Sequence, residues 1–142
     1  MVQRVEPDLA DKLHAAAIRL LRRVREADNE TGLSAPKLSA LSVLVFAGPQ
    51  SLGALAEAEQ VTAPTMSKLV GDLESAGLVA KKADKNDARA IRIEATSRGR
   101  ALMQAGRARR LALIREGLAR LTKAERTQLE AAAALMLKLA SP

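Results

Sequence analysis

The chain has 142 residues, 48% hydrophobic and 27% charged, with a formal net charge of +7 and no cysteine. That length suits one domain with a sizeable core, and the composition is globular and helix-rich. The missing cysteine excludes disulfides, thiolate zinc sites and thiol redox sensing. There is no signal sequence and no apolar run of membrane-spanning length, so a cytoplasmic location with no membrane partner is expected.

The charge is unevenly placed. Residues 61–115 carry twelve basic and five acidic side chains, whereas residues 1–60 carry seven and eight, and residues 116–142 four and three. A basic balance alone fits RNA or a membrane surface as well as DNA. Its meaning depends on the elements that carry it.

A first helix is expected from Asp8 to Ala27, with Leu9, Leu13, Ala16, Ala17, Leu20, Leu21 and Val24 as its apolar stripe. Arg19, Arg22, Arg23 and Arg25 lie on the other side, solvated or paired with Glu26 and Asp28. His14 is the only histidine and has no second ligand nearby, so a packed or surface side chain is expected and no metal. Gly32 breaks the chain, and Ser34 is placed to cap a second helix, Ala35 to Ala47, with Leu38, Leu41, Leu44 and Val45 inward. Phe46 is read as packing in an aliphatic core, the alternative being the wall of a small-molecule pocket.

Ser51 to Ala58 then reads as a short helix, Glu59 to Val61 as a tight turn, and Thr62 to Ser75 as a second helix. Leu52, Leu55 and Ala56 on one helix face Met66, Leu69, Val70 and Leu73 on the other, with Ala56 small enough for a close crossing and Val61 plugging the turn. Gln60 occupies a turn position that often holds glycine in this motif. Thr62 caps the second helix and Pro64 falls in its first turn. That leaves Thr62, Ala63, Thr65, Ser67 and Lys68 exposed near its start, groups able to reach base edges and phosphates; the plain alternative is a capped helix facing water.

After Gly77, Leu78–Ala83 and Arg89–Ala95 have strand character, joined by turn formers from Asp84 to Ala88. Five cations, Lys81, Lys82, Lys85, Arg89 and Arg92, are more than an ordinary loop of this length carries, and a basic finger of this kind fits a minor groove. Lys81, Lys82, Lys85, Asn86, Asp87 and Arg89 are the candidate wing contacts. Asp87 is read as orienting the Arg89 guanidinium or as forming the turn, and the two roles are compatible. Helix-turn-helix followed by a basic hairpin, with the charge excess on the same segment, favours duplex DNA as partner.

Beyond the hairpin, Thr96 to Leu121 is helical in character, with Leu102, Leu111, Ile114, Leu118 and Leu121 as its stripe. Thr122 opens a last helix with Glu125 three residues on, followed by Leu129, Ala132, Ala133, Met136 and Leu139. Terminal helices with more apolar surface than one lobe can cover point to a second copy, with Leu9, Leu13, Leu118, Leu129, Met136 and Leu139 as dimerisation residues. The alternative is a monomer that folds them back on itself.

The run LESAGLVAKKADKNDARAIRIEATSRGR, from Leu73 to Arg100, resembles a segment of the multiple-antibiotic-resistance regulator (MarR) family. There a recognition helix ends in L-E-x-x-G-L-V, the wing carries D-x-R, and T-x-x-G-R opens the next helix. Leu73, Glu74, Gly77, Leu78, Val79, Asp87, Arg89, Thr96, Gly99 and Arg100 match. Ala88 and Ala90 depart from it where members usually have a second basic residue, and Ala95 where they have leucine. The resemblance implies a mainly α fold with a small β-hairpin wing, arranged as an N-terminal dimerisation helix (1–33), a winged helix-turn-helix lobe (34–96) and C-terminal dimerisation helices (97–142). It also implies a homodimer on a pseudo-palindromic operator, repression as the commoner mode, and release by an aromatic or anionic effector in a crevice where His14, Phe46, Arg98 and Arg100 are candidates. The chain shows no catalytic set, Gly-rich phosphate loop or metal-ligand cluster, so no enzyme activity or cofactor is expected. The competing readings are a winged-helix protein-interaction module and a DNA-binding protein that ignores ligands.

Overall fold

The computed structural model describes residues 7–142. The elements are α1 (Pro7–Arg25), α2 (Ala35–Phe46), β1 (Gln50–Ser51), α3 (Leu52–Ala58), α4 (Ala63–Ser75), β2 (Val79–Ala83), β3 (Ile91–Ala95), α5 (Ser97–Ala119) and α6 (Lys123–Ala140). They form two compact units. One is a lobe from Asp28 to Ala108; the other holds the described residues up to Ala27 together with Arg109–Pro142. The lobe runs past residue 96 because Gly99, Met103 and Gly106 of α5 are buried. The part of the 1–33 segment before Pro7 lies outside the described residues.

The lobe is built around an aliphatic core. Leu41, Leu55, Met66, Val70 and Leu73 have no exposed surface, and Leu44, Leu78, Val79 and Ile93 keep at most 2%. Ala56 is buried at the α3–α4 crossing, and its carbonyl accepts the Val61 amide at 3.0 Å, which closes the turn. Thr62 caps α4 as expected, accepting from the Thr65 amide, and Ser51, read as the first residue of the short helix, is instead the cap of α3 and accepts from the Ala54 amide. Ser34 occupies the cap position of α2 without a side-chain bond.

The sheet has three strands rather than the two of a hairpin. β3 lies in the middle, antiparallel to β2 through Val79↔Ala95 to Ala83↔Ile91, and to the two-residue β1 through Gln50↔Ile93 and Ser51↔Arg92. This register puts Lys81, Ile91 and Ile93 on one face and Lys82, Arg92 and Glu94 on the other. Ile91 and Ile93 share a face but not an environment. Ile93 is 1% exposed and Ile91 58%, because the outer part of the hairpin projects past the core.

The helical unit has little interior of its own. α1 ends at Arg25 and gives way to a 3-10 turn, Glu26–Thr31, rather than continuing to Ala27. The turn is rich in Asp, Asn and Thr, whose side chains compete for backbone bonds. Thr31 donates to the Asp28 carbonyl at 2.8 Å and accepts from the Leu33 amide at 3.1 Å. The Thr122 hydroxyl caps α6 by accepting the Glu125 amide. No residue of α6 is buried, and a cavity of about 580 Å³ opens between Leu20 of α1, Ile114 and Leu118 of α5, and Leu129 and Met136 of α6.

Candidate nucleic-acid interface

The start of α4 and the tip of the wing carry the candidate contacts. On α4, Thr62, Ala63, Thr65, Ser67 and Lys68 are exposed while Met66 and Val70 point into the core. This is the helical period: the residues that hold α4 in the lobe leave the others facing out. Thr62 does two jobs at once. Its oxygen takes the Thr65 amide at 3.3 Å and its hydroxyl donates to Thr65 Oγ1 at 2.9 Å, so the Thr65 hydroxyl keeps its own proton for an outside acceptor.

Gln60 sets the angle between α3 and α4. It has a φ of 55°, the only left-handed non-glycine among the described residues, and so fills the position where glycine is usual at some strain cost. At the other end of α4, Gly77 has a φ of 74° and the Leu78 amide reaches back to the Leu73 carbonyl at 3.0 Å, a Schellman-type stop. Thr96 then locks this stop to α5. Its hydroxyl donates to the Gly77 carbonyl at 2.6 Å, its amide donates to the Leu78 carbonyl, and its oxygen accepts the Gly99 amide. A Cβ on Gly99 would sit 2.1 Å from the Leu78 carbonyl oxygen, so only glycine fits. The T-x-x-G segment thus fixes where the wing leaves the recognition helix.

The wing's five cations divide into two groups. Lys81 pairs with Glu74 at 3.9 Å, Lys82 with Glu94 at 2.5 Å, and Arg92 with Asp84 at 2.9 Å. Lys85 and Arg89, at the tip, have no ion pair among the described residues; neither does Lys68 on α4. Asp87 accepts the backbone amide of Arg89 at 3.0 Å, so its carboxylate forms the turn and leaves the guanidinium alone. Asp84 does the same for Asn86 at 2.9 Å while also accepting from Arg92. The Asn86 amide first, and the Arg92 guanidinium second, hold the Asp84 carboxyl below the usual carboxylate range. Its stabilising contribution is therefore present above the ordinary carboxylate pKa and is lost only as pH falls through the lowered value.

The candidate effector residues are not alike. Phe46 is 68% exposed on the lobe surface rather than packed in the core, because it falls on the last turn of α2, beyond the face formed by Leu41 and Leu44. Arg100 is tied to the Ala95 carbonyl at 2.7 Å and the Ser97 hydroxyl at 3.4 Å. Arg98 lies against Gly77. His14 is an exposed residue of α1, in the helical unit. Sequence reasoning missed Asp84 and Arg92 as a pair. The signal was there, because the turn formers fix the register and the register makes Asp84 and Arg92 diagonal neighbours on one face.

A recognition helix capped at its exposed end, a helix packed across it and a three-stranded wing define the winged helix-turn-helix class of DNA-binding proteins. Residues 31–90 match the MarR family model. The chain is 35% identical over 131 residues to the HTH-type transcriptional regulator MT0903.1 of Mycobacterium tuberculosis, and 33% to the regulator ML2140 of Mycobacterium leprae, each match covering 92% of both chains. It is similar in fold to RV1404 of Mycobacterium tuberculosis (TM-score 0.86, 20% identity, 100% and 99% of the two chains covered). It is also similar to a MepR variant of Staphylococcus aureus bound to an oligodeoxyribonucleotide (TM-score 0.72, 20% identity, 94% and 98% covered). The chain belongs to the MarR family of helix-turn-helix transcriptional regulators, a family of regulators rather than enzymes. Among the described residues no helix is long and apolar enough to cross a membrane.

Proposed function

We propose that two copies of this chain form a cytoplasmic homodimeric repressor that sets two α4 helices into successive major grooves of a pseudo-palindromic operator. The observation that carries this reading is the coincidence of exposed hydroxyls and Lys68 at the start of α4 with the unpaired cations Lys85 and Arg89 at the wing tip. Thr65 and Ser67 reach base edges from the helix, Arg89 enters the adjacent minor groove, and Lys68 and Lys85 contact phosphates. Lys81 and Lys82, already paired with carboxylates, contribute less. Two-fold symmetry sets half-site centres about 10 base pairs apart.

The dimer is supported by the helical unit. Leu20, Leu129 and Met136 are 43–53% exposed around a cavity that the chain's own side chains leave open, Leu135 and Leu139 of the same α6 are 65% and 73% exposed, and a second copy of the same helices has the matching character. An anionic aromatic effector would release the operator by changing the spacing of the two recognition helices; release at constant ionic strength distinguishes it from screening of phosphate contacts.

Gel-shift titration on genomic fragments with competitor DNA tests the reading. A sequence reader retains selected fragments, and footprinting a retained one gives the operator; a protein-interaction module retains none. On that operator Arg89→Ala should weaken specific binding by roughly 1–3 kcal/mol, while Lys68→Ala or Lys85→Ala should weaken all sequences alike and reduce the salt slope by about one. Equal loss of specificity from all three substitutions would contradict this division of labour.

A further inference from the structure

The outer face of the wing is electrostatically closed. Lys82, Arg92 and Glu94 share it by register, and Asp84 follows on the same side; two cations meet two carboxylates there in the pairs Lys82–Glu94 and Arg92–Asp84. Arg92 differs from the other wing cations because it reaches two partners in different parts of the lobe. Its Nε donates to Asp84 Oδ2 at 2.9 Å and its Nη1 donates to the Pro49 carbonyl at 3.2 Å. Pro49 immediately precedes β1, whose Ser51 caps α3. Asp84 works in the other direction: its Oδ1 accepts the Asn86 amide at 2.9 Å, and its own amide donates to the Ala90 carbonyl at 2.9 Å, which shapes the tip carrying Lys85 and Arg89.

We infer that Asp84 and Arg92 form a clamp that positions the wing tip relative to the helix-turn-helix, so that Arg92, although cationic and half-exposed, is a positioning residue and not a DNA contact. The inference rests on the DNA-reading function proposed above. β1 pairs with β3 only at Arg92 and Ile93, and Ile91 beyond them is 58% exposed, so little packing fixes the direction of the tip. The guanidinium fork is suited to the role because it holds a carboxylate and a carbonyl at once in a fixed geometry; a lysine ammonium is a single point charge on a flexible stem. The clamp has a signature opposite to simple electrostatics. Removing the negative charge of Asp84 beside DNA should tighten binding if Asp84 acts only through its charge, and should loosen specific binding if it holds the tip.

The test uses the full chain, the footprinted operator and an unrelated duplex of equal length, across a range of salt concentrations. Asp84→Asn keeps an acceptor for the Asn86 amide and loses the charged partner of Arg92. It is expected to weaken operator binding about fivefold or more, with the unrelated duplex unchanged or bound more tightly. Arg92→Lys is expected to be as poor as Arg92→Gln on the operator, both with an unchanged salt slope, and the Asp84→Asn, Arg92→Gln double variant to be no worse than either single one. Tighter operator binding by Asp84→Asn, or full rescue by Arg92→Lys with a slope lowered by about one in Arg92→Gln, would overturn the clamp. Backbone relaxation of the amides of residues 85–89 in the free protein separates the clamp from the DNA-reading function. Order that falls in Asp84→Asn supports the clamp even if no fragment is retained by the native chain, and unchanged order overturns it.

Discussion

In the lobe, Leu41, Leu55, Met66 and Val70 have no exposed surface, whereas in α6 Leu135, Leu137 and Leu139 keep 65%, 74% and 73% of theirs. The two regions draw on the same residue types and reach opposite ends of the burial scale. Full burial of a leucine contributes about 1.5–3 kcal/mol, so the lobe has what it needs to hold α2, α3 and α4 together by itself. Helices in proteins draw most of their stability from packing an apolar face, and the 18-residue α6 buries no residue of its own. The difference teaches that the lobe covers its own apolar side chains while the terminal helices leave theirs uncovered, which is the ground of the proposed dimer.

That comparison can be broken at the helical base. Leu129→Arg combined with Met136→Arg places two charges in the apolar cavity, each substitution costing at least about 2 kcal/mol if it lies in a central interface. The expected outcome is a dissociation constant raised about a thousandfold, read from the concentration dependence of the sedimenting mass, with the lobe's secondary structure retained. Loss of folded structure without any change in association would put those residues in a monomer core instead.

The lobe offers the converse. Leu55→Ala removes a fully buried side chain from the α3–α4 crossing and should cost about 3 kcal/mol in urea unfolding, while the associated mass at micromolar concentration stays the same. A cost below about 1 kcal/mol would mean that the core is looser than its burial indicates. The smallest expected effect sharpens the picture at the turn: Gln60→Gly relieves a φ of 55° and should raise stability by about 0.5–1 kcal/mol in the same unfolding measurement. A decrease would show that the Gln60 side chain holds the turn by contacts rather than enduring it.

What could be read from the residues was what local spacing controls. Thr62 as a cap, Gly77 as the stop of α4, and Met66, Val70 and Leu73 as its inward face all follow from periods of three and four and from backbone capping chemistry. The two-residue β1 could not be read, because a strand that short has no alternation to detect, and it exists only where β3 offers Ile93 and Arg92 as partners. Charge counting overstated the wing for a related reason. Five cations are visible in the sequence, but Glu74, Asp84 and Glu94 engage three of them across strands and elements, leaving Lys85 and Arg89 at the tip. Phe46 misled by composition: a lone aromatic in an aliphatic chain looks like core, yet its place on the last turn of α2 turns it outward.

Light scattering on the purified chain at micromolar concentration tests the account most directly, since the proposed cover for the terminal helices and the proposed reading of an operator by two α4 helices both call for a second copy. The account predicts a mass twice the 15.1 kDa of one chain, maintained in the absence of DNA. A mass of 15.1 kDa, unchanged on concentration, would contradict it.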